Sequence, residues 1–176
     1  DGANEVEMMS TAFGYEYAEC DNFKAVRLPF EGEMAMTVIL PEEGVAADDV
    51  ASALSVDIWN SLDFAYKSVA LRLPKFEVEY SADFSSVLSG MGIPLRFNLA
   101  GMGINRDGNA DILQKTAFKI NEYGAEGAAV TAGIWSGADI GSKPKYIEMR
   151  FDRPFVYVVS SSKTGTVLMA GVINNL

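Results

Sequence analysis

From Gly124 to Gly141 the chain is dominated by glycine and alanine, with Glu126, Thr131, Ser136, Asp139 and a few apolar residues between them. No other feature narrows the fold as much. Small side chains build no core, and the same composition suits a flexible linker. Yet runs that read as strands bound the stretch on both sides, and long linkers are uncommon between strands of one compact domain. Its flanks decide what it is.

Those flanks are strand-like nearly throughout. Val6 to Ser10 and Phe13 to Ala18 read as extended. Phe23 to Phe30 alternates, Glu31-Gly32 supplies a turn, and Met34 to Leu40 runs apolar up to Pro41, which predicts a hairpin. Pro41-Glu42-Glu43-Gly44 is a second turn. Asp48 and Ser55 are placed to N-cap short helices reaching Ala53 and Phe64, because each side-chain oxygen can accept an orphan helix N–H. Val69 to Val78 alternates again, and Pro74 predicts a bulge or a strand-to-strand transition inside it. Ser81 is placed to cap a helix from Ala82 to Ser89, ended by Gly90 or Gly92 in the left-handed conformation. A loop through Gly101, Gly103 and Gly108 leads to an extended run, Ile112 to Asn121. Beyond the Gly/Ala stretch come strands at Tyr146 to Phe151, Pro154 to Ser160 and Thr166 to Ile173. The pattern is α+β and predominantly β.

The chain has 176 residues, 49% of them hydrophobic, enough to bury a core as one domain or a piece of a larger one. Its net charge of -10, from 14 basic and 24 acidic residues, comes with no basic stripe. Such a surface repels phosphate backbones, which speaks against nucleic-acid and heparin-like partners. Histidine is absent, so no imidazole can activate a nucleophile or hold a metal. The lone Cys20 cannot form an internal disulfide and fits a small apolar filler. No apolar run approaches the ~18 residues of a membrane helix. Asp1 to Glu7 lacks the layout of a secretion signal, which would lie upstream if there is one. These readings call for no cofactor, metal, membrane or enzyme activity.

Several motif fragments fail on physical grounds. Gly101-Met102-Gly103 does not lead from a strand into a helix, so it makes a poor phosphate cradle. Asp107, Asn109 and Asp111 open like a calcium loop, but Ile112 and Phe118 stand where a glycine and a bidentate acid belong. Ser160-x-x-Lys163 and Lys163-Thr164-Gly165 share one lysine in one turn, whereas the β-lactam enzymes bring such elements together from separate segments. The acidic pairs Glu42-Glu43 and Asp48-Asp49 sit in turn or cap contexts, where a solvated surface is the default.

Read with its flanks, the Gly/Ala stretch acquires a meaning. Asn121-Glu122-Tyr123-Gly124-Ala125-Glu126-Gly127-Ala128-Ala129-Val130-Thr131-Ala132 resembles the hinge of the serpins, a family of suicide protease inhibitors, which runs roughly Asn-Glu-x-Gly-Thr-Glu followed by small residues. Met149 to Val159, around Asp152-Arg153-Pro154-Phe155, resembles the family's C-terminal signature, and Lys163-Thr164-Gly165 with Val167 to Val172 its closing hairpin. Earlier in the chain, Glu7-Met8-Met9 is similar to the family's Pro-Met-Met segment, Ile39-Leu40-Pro41-Glu42 to its Leu-Pro turn, and Leu71 to Phe76 to its Leu-Pro-Lys-Phe strand. Asp83-Phe84, Leu88 and Met91-Gly92-Ile93 fit the helix that follows.

The resemblance implies a serpin fold, of which residues 1–176 form the C-terminal part. That part comprises strands of sheets B and C, one or two strands of the main sheet, short helices and an exposed reactive loop at about residues 123–145. A protease cleaves the loop, which then inserts into the main sheet and carries the acylated protease with it. The residues bear on this chemistry themselves. Ala125, Gly127, Ala129 and Thr131 recur at the strand period of two, so an inserting strand would keep a small, uncharged row on one face. By the family's spacing the reactive bond is Ala138-Asp139, with Ile140-Gly141 as the alternative. The small residue before the bond points to a serine protease of elastase-like or broad specificity. The resemblance also pairs Glu122 with Lys75 at the loop base.

The sequence departs from the family pattern in places. Ala125 replaces the usual threonine, Gln114 stands where a histidine is usual, and Asn98 to Met102 follows the family's Asp-Leu-Ser-Gly only loosely. A complete member is about twice this length. The whole protein is expected to be a monomer at an extracellular or cell-envelope site, with a cytoplasmic site as the alternative. This chain alone, with a strand edge left unpaired, is expected to aggregate, polymerise or stay unfolded. Competing readings are a non-inhibitory serpin (carrier, chaperone or storage protein), an unrelated β-rich binding module, and an enzyme.

Overall fold

A computed structural model describes residues 6–30, 32–98, 107–121, 124–125 and 145–175. In chain order the elements begin with β1 (Met8–Glu19), β2 (Phe23–Pro29), β3 (Met34–Pro41), α1 (Ala47–Ala53) and α2 (Val56–Ser61). Next come β4 (Ala65–Pro74), β5 (Phe76–Asp83), α3 (Ser85–Gly90), β6 (Arg96–Asn98), β7 (Asp107–Asn109) and β8 (Leu113–Asn121). The last are β9 (Gly124–Ala125), β10 (Ile147–Arg150), β11 (Phe155–Ser161) and β12 (Val167–Ile173). They fall into two units, Asp1–Phe76 with Ile120–Leu176, and Glu77–Lys119.

The first unit is built on a seven-stranded sheet in the order β10-β4-β1-β2-β3-β11-β12. The hairpin predicted from the Phe23 and Met34 runs is present, with partners from Phe23↔Pro41 to Pro29↔Ala35 and Gly32 at φ 83° in its turn. The two short extended runs at the start are one strand. β1 pairs with β4 without a break from Met8↔Pro74 to Tyr17↔Ala65, so the ladder carries Thr11 and Ala12 through a stretch with no strand pattern of its own. Its last four residues pair with β2, Glu16↔Arg27 to Glu19↔Lys24, and of these Glu16 and Tyr17 lie between β2 and β4. A side chain at Gly14 would meet the Tyr66 ring at 2.6 Å, so the exposed ring would have to shift to admit one.

β3 and β11 are buried on both faces, which explains why they read as apolar runs rather than alternations. On one face, Ala25, Ile39, Val156 and Val158 pack with Ala18 and Phe23 beneath Ala47 and Val50 of α1, with Trp59, Leu62 and Phe64 at the margin. The alternate positions Val26, Val38 and Tyr157 are neighbours by register and point the other way. There the Phe76 ring meets Phe155 and Tyr157 at centroid distances of 5.6 and 5.5 Å.

The helix caps divide between expectation and correction. Ser55 caps α2, its hydroxyl accepting the Ile58 N–H at 3.2 Å. Asp48 does not cap α1. The N-cap is Ala46, which makes no side-chain bond, and Asp48 lies in the first turn, where its charge suits the helix dipole. α2 stops at Ser61, short of Phe64, because Leu62 turns to extended backbone. Phe64 lies instead under the Arg27 guanidinium, 4.0 Å from its centroid. Ser55→Ala should cost about 1 kcal/mol in chemical denaturation while Ser55→Asp stays near neutral; equal losses would show that the cap bond contributes nothing.

In the second unit, the Glu77–Asp83 part of β5 lies beside the Leu113–Lys119 part of β8, with Lys119 Nζ 3.1 Å from Glu77 Oε2. Pro74 marks a strand-to-strand break as expected, since β4 ends on it and β5 begins at Phe76. Ser81 caps no helix, for β5 runs through it to Asp83, and the backbone ladder outweighs the local cap signal. Asp83 accepts the Ser85 N–H at 2.8 Å, and hydrogen bonds from the Ser85 side chain and backbone hold its carboxyl below the usual carboxylate range. The helix ends at Gly92 (φ 82°), where Gly92 N–H reaches Ser89 O and Ile93 N–H reaches Leu88 O, both at 3.0 Å. That pair of bonds is a Schellman ending. β6 and β7 pair antiparallel, Arg96↔Asn109 to Asn98↔Asp107.

Candidate functional site

The segment of interest is fixed at both ends by strand pairing. β8 carries the chain to Asn121, and two residues later Gly124 and Ala125 run back antiparallel against it, with partners Asn121↔Gly124 and Ile120↔Ala125. The Gly/Ala stretch therefore begins as a strand. Of the other sequence-predicted residues, Glu122, Glu126, Gly127, Ala128, Ala129, Val130, Thr131, Ala138 and Asp139 lie outside the described residues. At the far end, Lys145 and Tyr146 lead into β10, which runs parallel to β4 from Ile147↔Val69 to Arg150↔Arg72.

The Asp152-Arg153-Pro154-Phe155 turn links β10 to β11, and each residue does a different job. Phe155 is fully buried, its ring edge-on to Phe151 at 5.1 Å and to Phe76 at 5.6 Å. Arg153 donates from Nη2 to the Pro41 carbonyl at 2.9 Å, tying the turn to the end of β3. Asp152 accepts from Arg150 Nε at 2.9 Å, and the Phe151 N–H is held by Arg72 O at 2.9 Å. Pro154 sits between the strands, where a missing N–H breaks no ladder bond. Burial pushes the nearby Tyr157 phenol above its ordinary pKa, so it stays neutral.

Lys75 occupies the single position between β4 and β5, and the structure gives it a partner that sequence reasoning missed. Its N–H donates to Glu7 O at 2.9 Å, and its ammonium reaches Glu7 Oε2 at 2.6 Å. The signal was available in the register: once Met8 opposes Pro74, Glu7 falls opposite Lys75. Glu7 is 78% exposed and Lys75 33%, so the ion pair is a surface one, contributing about 0–1 kcal/mol.

Cys20 packs half-buried at the margin of the α1 cluster, and burial, with Asp21 beside it, pushes the thiol up from its ordinary pKa. A thiol so disfavoured as thiolate is a poor nucleophile and acts as packing. Among the described residues no group of three or more His, Cys, Asp or Glu side chains could hold a metal ion, and no helix is long and apolar enough to cross a membrane.

Comparison with known proteins gives this geometry a context. The family model described as serpin (serine protease inhibitor) matches residues 1–176. Iripin-8 of the tick Ixodes ricinus is 32% identical over 184 residues, covering 98% of this chain and 46% of its own length. A serpin-like protein of the archaeon Thermococcus kodakarensis is 32% identical over 177 residues, covering 97% of this chain and 41% of its own. Among solved structures, the native state of the thermophilic serpin tengpin superposes with a TM-score of 0.70 at 20% identity, covering 98% of this chain and 47% of that one. Serpin48 of the insect Tenebrio molitor gives 0.68 at 26% identity, with 97% and 46% covered. The chain thus spans less than half the length of these relatives.

Proposed function

The chain belongs to the serpin family, and on that premise we propose that it forms the C-terminal part of a longer protein that inhibits a serine protease by sacrificing its loop. The observation that carries this reading is the short ladder of Gly124 and Ala125 on the last residues of β8. A strand continuing from it would place Ala125, Gly127, Ala129 and Thr131 in one row. The row starts at the position paired with Ile120, which is 3% exposed, so it would face inward, where only small uncharged side chains are tolerated. Cleavage at Ala138-Asp139 would free the strand to lengthen along β8. In this reading Glu122 would tether the loop base on Lys75.

Incubating the full-length protein with an elastase-like protease should give an SDS-stable complex, and mass mapping should place the cut between residues 134 and 145. The nicked protein should also melt higher, because an added strand fills the sheet. A cut elsewhere overturns the bond assignment, and a cut with neither a stable complex nor a gain in thermal stability rules out the inhibitory reading and leaves a carrier, chaperone or storage serpin. The whole protein is a monomer at an extracellular or cell-envelope site. This chain alone aggregates, because apolar side chains such as Val56 and Val167, lining the apolar groove between α2 and β12, are 74% and 48% exposed.

A further inference from the structure

We propose that the cleft between α1, the start of α2 and the start of β2 binds a small aliphatic ammonium, its chain in an apolar cup and its head on Asp49. The cleft has a volume of about 300 Å³. Phe23 and Val50, 7% and 4% exposed, form its floor, and Leu54 and Ile58 add apolar walls. Asn22 and Asp49 also line it and are exposed, so they stand at its mouth. A volume at the lower end of small-molecule sites suits a short chain rather than a ring system. Each methylene that leaves water for such walls favours binding.

The mouth selects the head group. Asp48 is occupied, accepting from Asn174 Nδ2 at 3.3 Å. Asp49, the next residue, makes no ion pair or hydrogen bond among the described residues. A lone acid in a first turn assigns nothing by itself. Beside an apolar cup it does, because a ligand whose chain enters the cup brings its head to the carboxylate. The backbone of Asn22 is fixed, its carbonyl accepting the Glu42 N–H at 2.8 Å, and its carboxamide oxygen is a second acceptor at the mouth. A primary ammonium has three donors and one positive charge to offer such a pair. Asp21 and Asp57 adjoin Asn22 and Ile58 in sequence, and Lys24, two residues beyond Asn22, is already held by Glu42 at 2.9 Å. That surround repels a carboxylate or phosphate head. None of these residues belongs to the loop segment, so the site stands or falls apart from the inhibitory reading.

The test uses the full-length protein and titrates it with n-hexylammonium, n-butylammonium, 1-hexanol and hexanoate, followed by methyl NMR. In the wild type the methyl signals of Val50 and Ile58 should move, while those of Val167 and Val172, in the groove beside β12, stay in place. Hexylammonium should bind more tightly than butylammonium, by up to about fourfold for each added methylene. Hexanoate should not bind. Asp49→Asn should weaken hexylammonium by about tenfold, the size of one charge-assisted hydrogen bond, and leave hexanol unchanged. Ala53→Leu, at an exposed position on the cleft wall, should fill the cup and weaken both. Affinity that ignores chain length removes the cup, and equal binding of hexanoate or an unchanged Asp49→Asn removes the head-group assignment; either overturns the proposal. Movement of Val167 and Val172 in place of Val50 and Ile58 overturns it in the wild type alone, with no variant needed.

Discussion

Phe155→Ala in the full-length protein should lose about 3–5 kcal/mol of folding stability, the range for deleting a fully buried aromatic ring. Phe155 has no exposed surface, and its ring is held edge-on by Phe151 at 5.1 Å and by Phe76 at 5.6 Å. The three rings come from three separate stretches of chain: the start of β5, the residue after β10, and the start of β11. Collapse around the void is restricted, because Phe151 is anchored through its N–H to Arg72 O and β11 is flanked by β3 and β12. The loss therefore lies toward the upper end. Phe155→Leu keeps most of the volume and should lose less than half as much. Urea denaturation with both variants decides the matter. A loss below about 1 kcal/mol for alanine would mean that the ring does not join these strands.

Where sequence and structure part, the backbone ladder is usually the reason. The alternation of Phe23 to Phe30 and the apolar run of Met34 to Leu40 foretold β2, β3 and their hairpin, because each residue's own burial decided the pattern. The Ser55 cap and the Pro74 break were equally legible, since they depend on a side chain and its immediate neighbours. Thr11 and Ala12 carry no such signal. They are in a strand because ten residues of β4 run beside them. Ser81 failed for the opposite reason: an accurate cap chemistry was overridden by a strand that continues to Asp83. The same holds at the candidate site. Lys75 was singled out through the resemblance of Leu71 to Phe76 to the Leu-Pro-Lys-Phe strand, but its partner Glu7 is 68 positions away and became visible only through register. The Arg153 bond to Pro41 O, across 112 positions, is invisible to any local pattern.

On the inhibitory reading proposed above, Ala129→Arg should abolish protease trapping in the full-length protein while Ala128→Arg largely preserves it. The two residues are adjacent and equally small, so volume at the site of substitution does not distinguish them. Their parity does. In a strand continued from the Ile120↔Ala125 pair, Ala129 would fall in one row with Ala125, Gly127 and Thr131, and Ala128 in the alternate row. An arginine in the inward row must bury a charge with no partner, at a cost of several kcal/mol. Each 1.4 kcal/mol or so is about tenfold in a rate ratio, so insertion should slow by about a hundredfold or more relative to hydrolysis of the acyl link. The protease would then cut the loop and leave, turning an inhibitor into a substrate. In the outward row the same side chain keeps its guanidinium in water and loses little. Counting inhibitor molecules consumed per protease trapped separates the cases: near unity for Ala128→Arg, and very high with no SDS-stable band for Ala129→Arg. Equal damage from both would mean that any bulk in the loop interferes, and the reverse order would place the register one residue away from the Ile120–Ala125 pair.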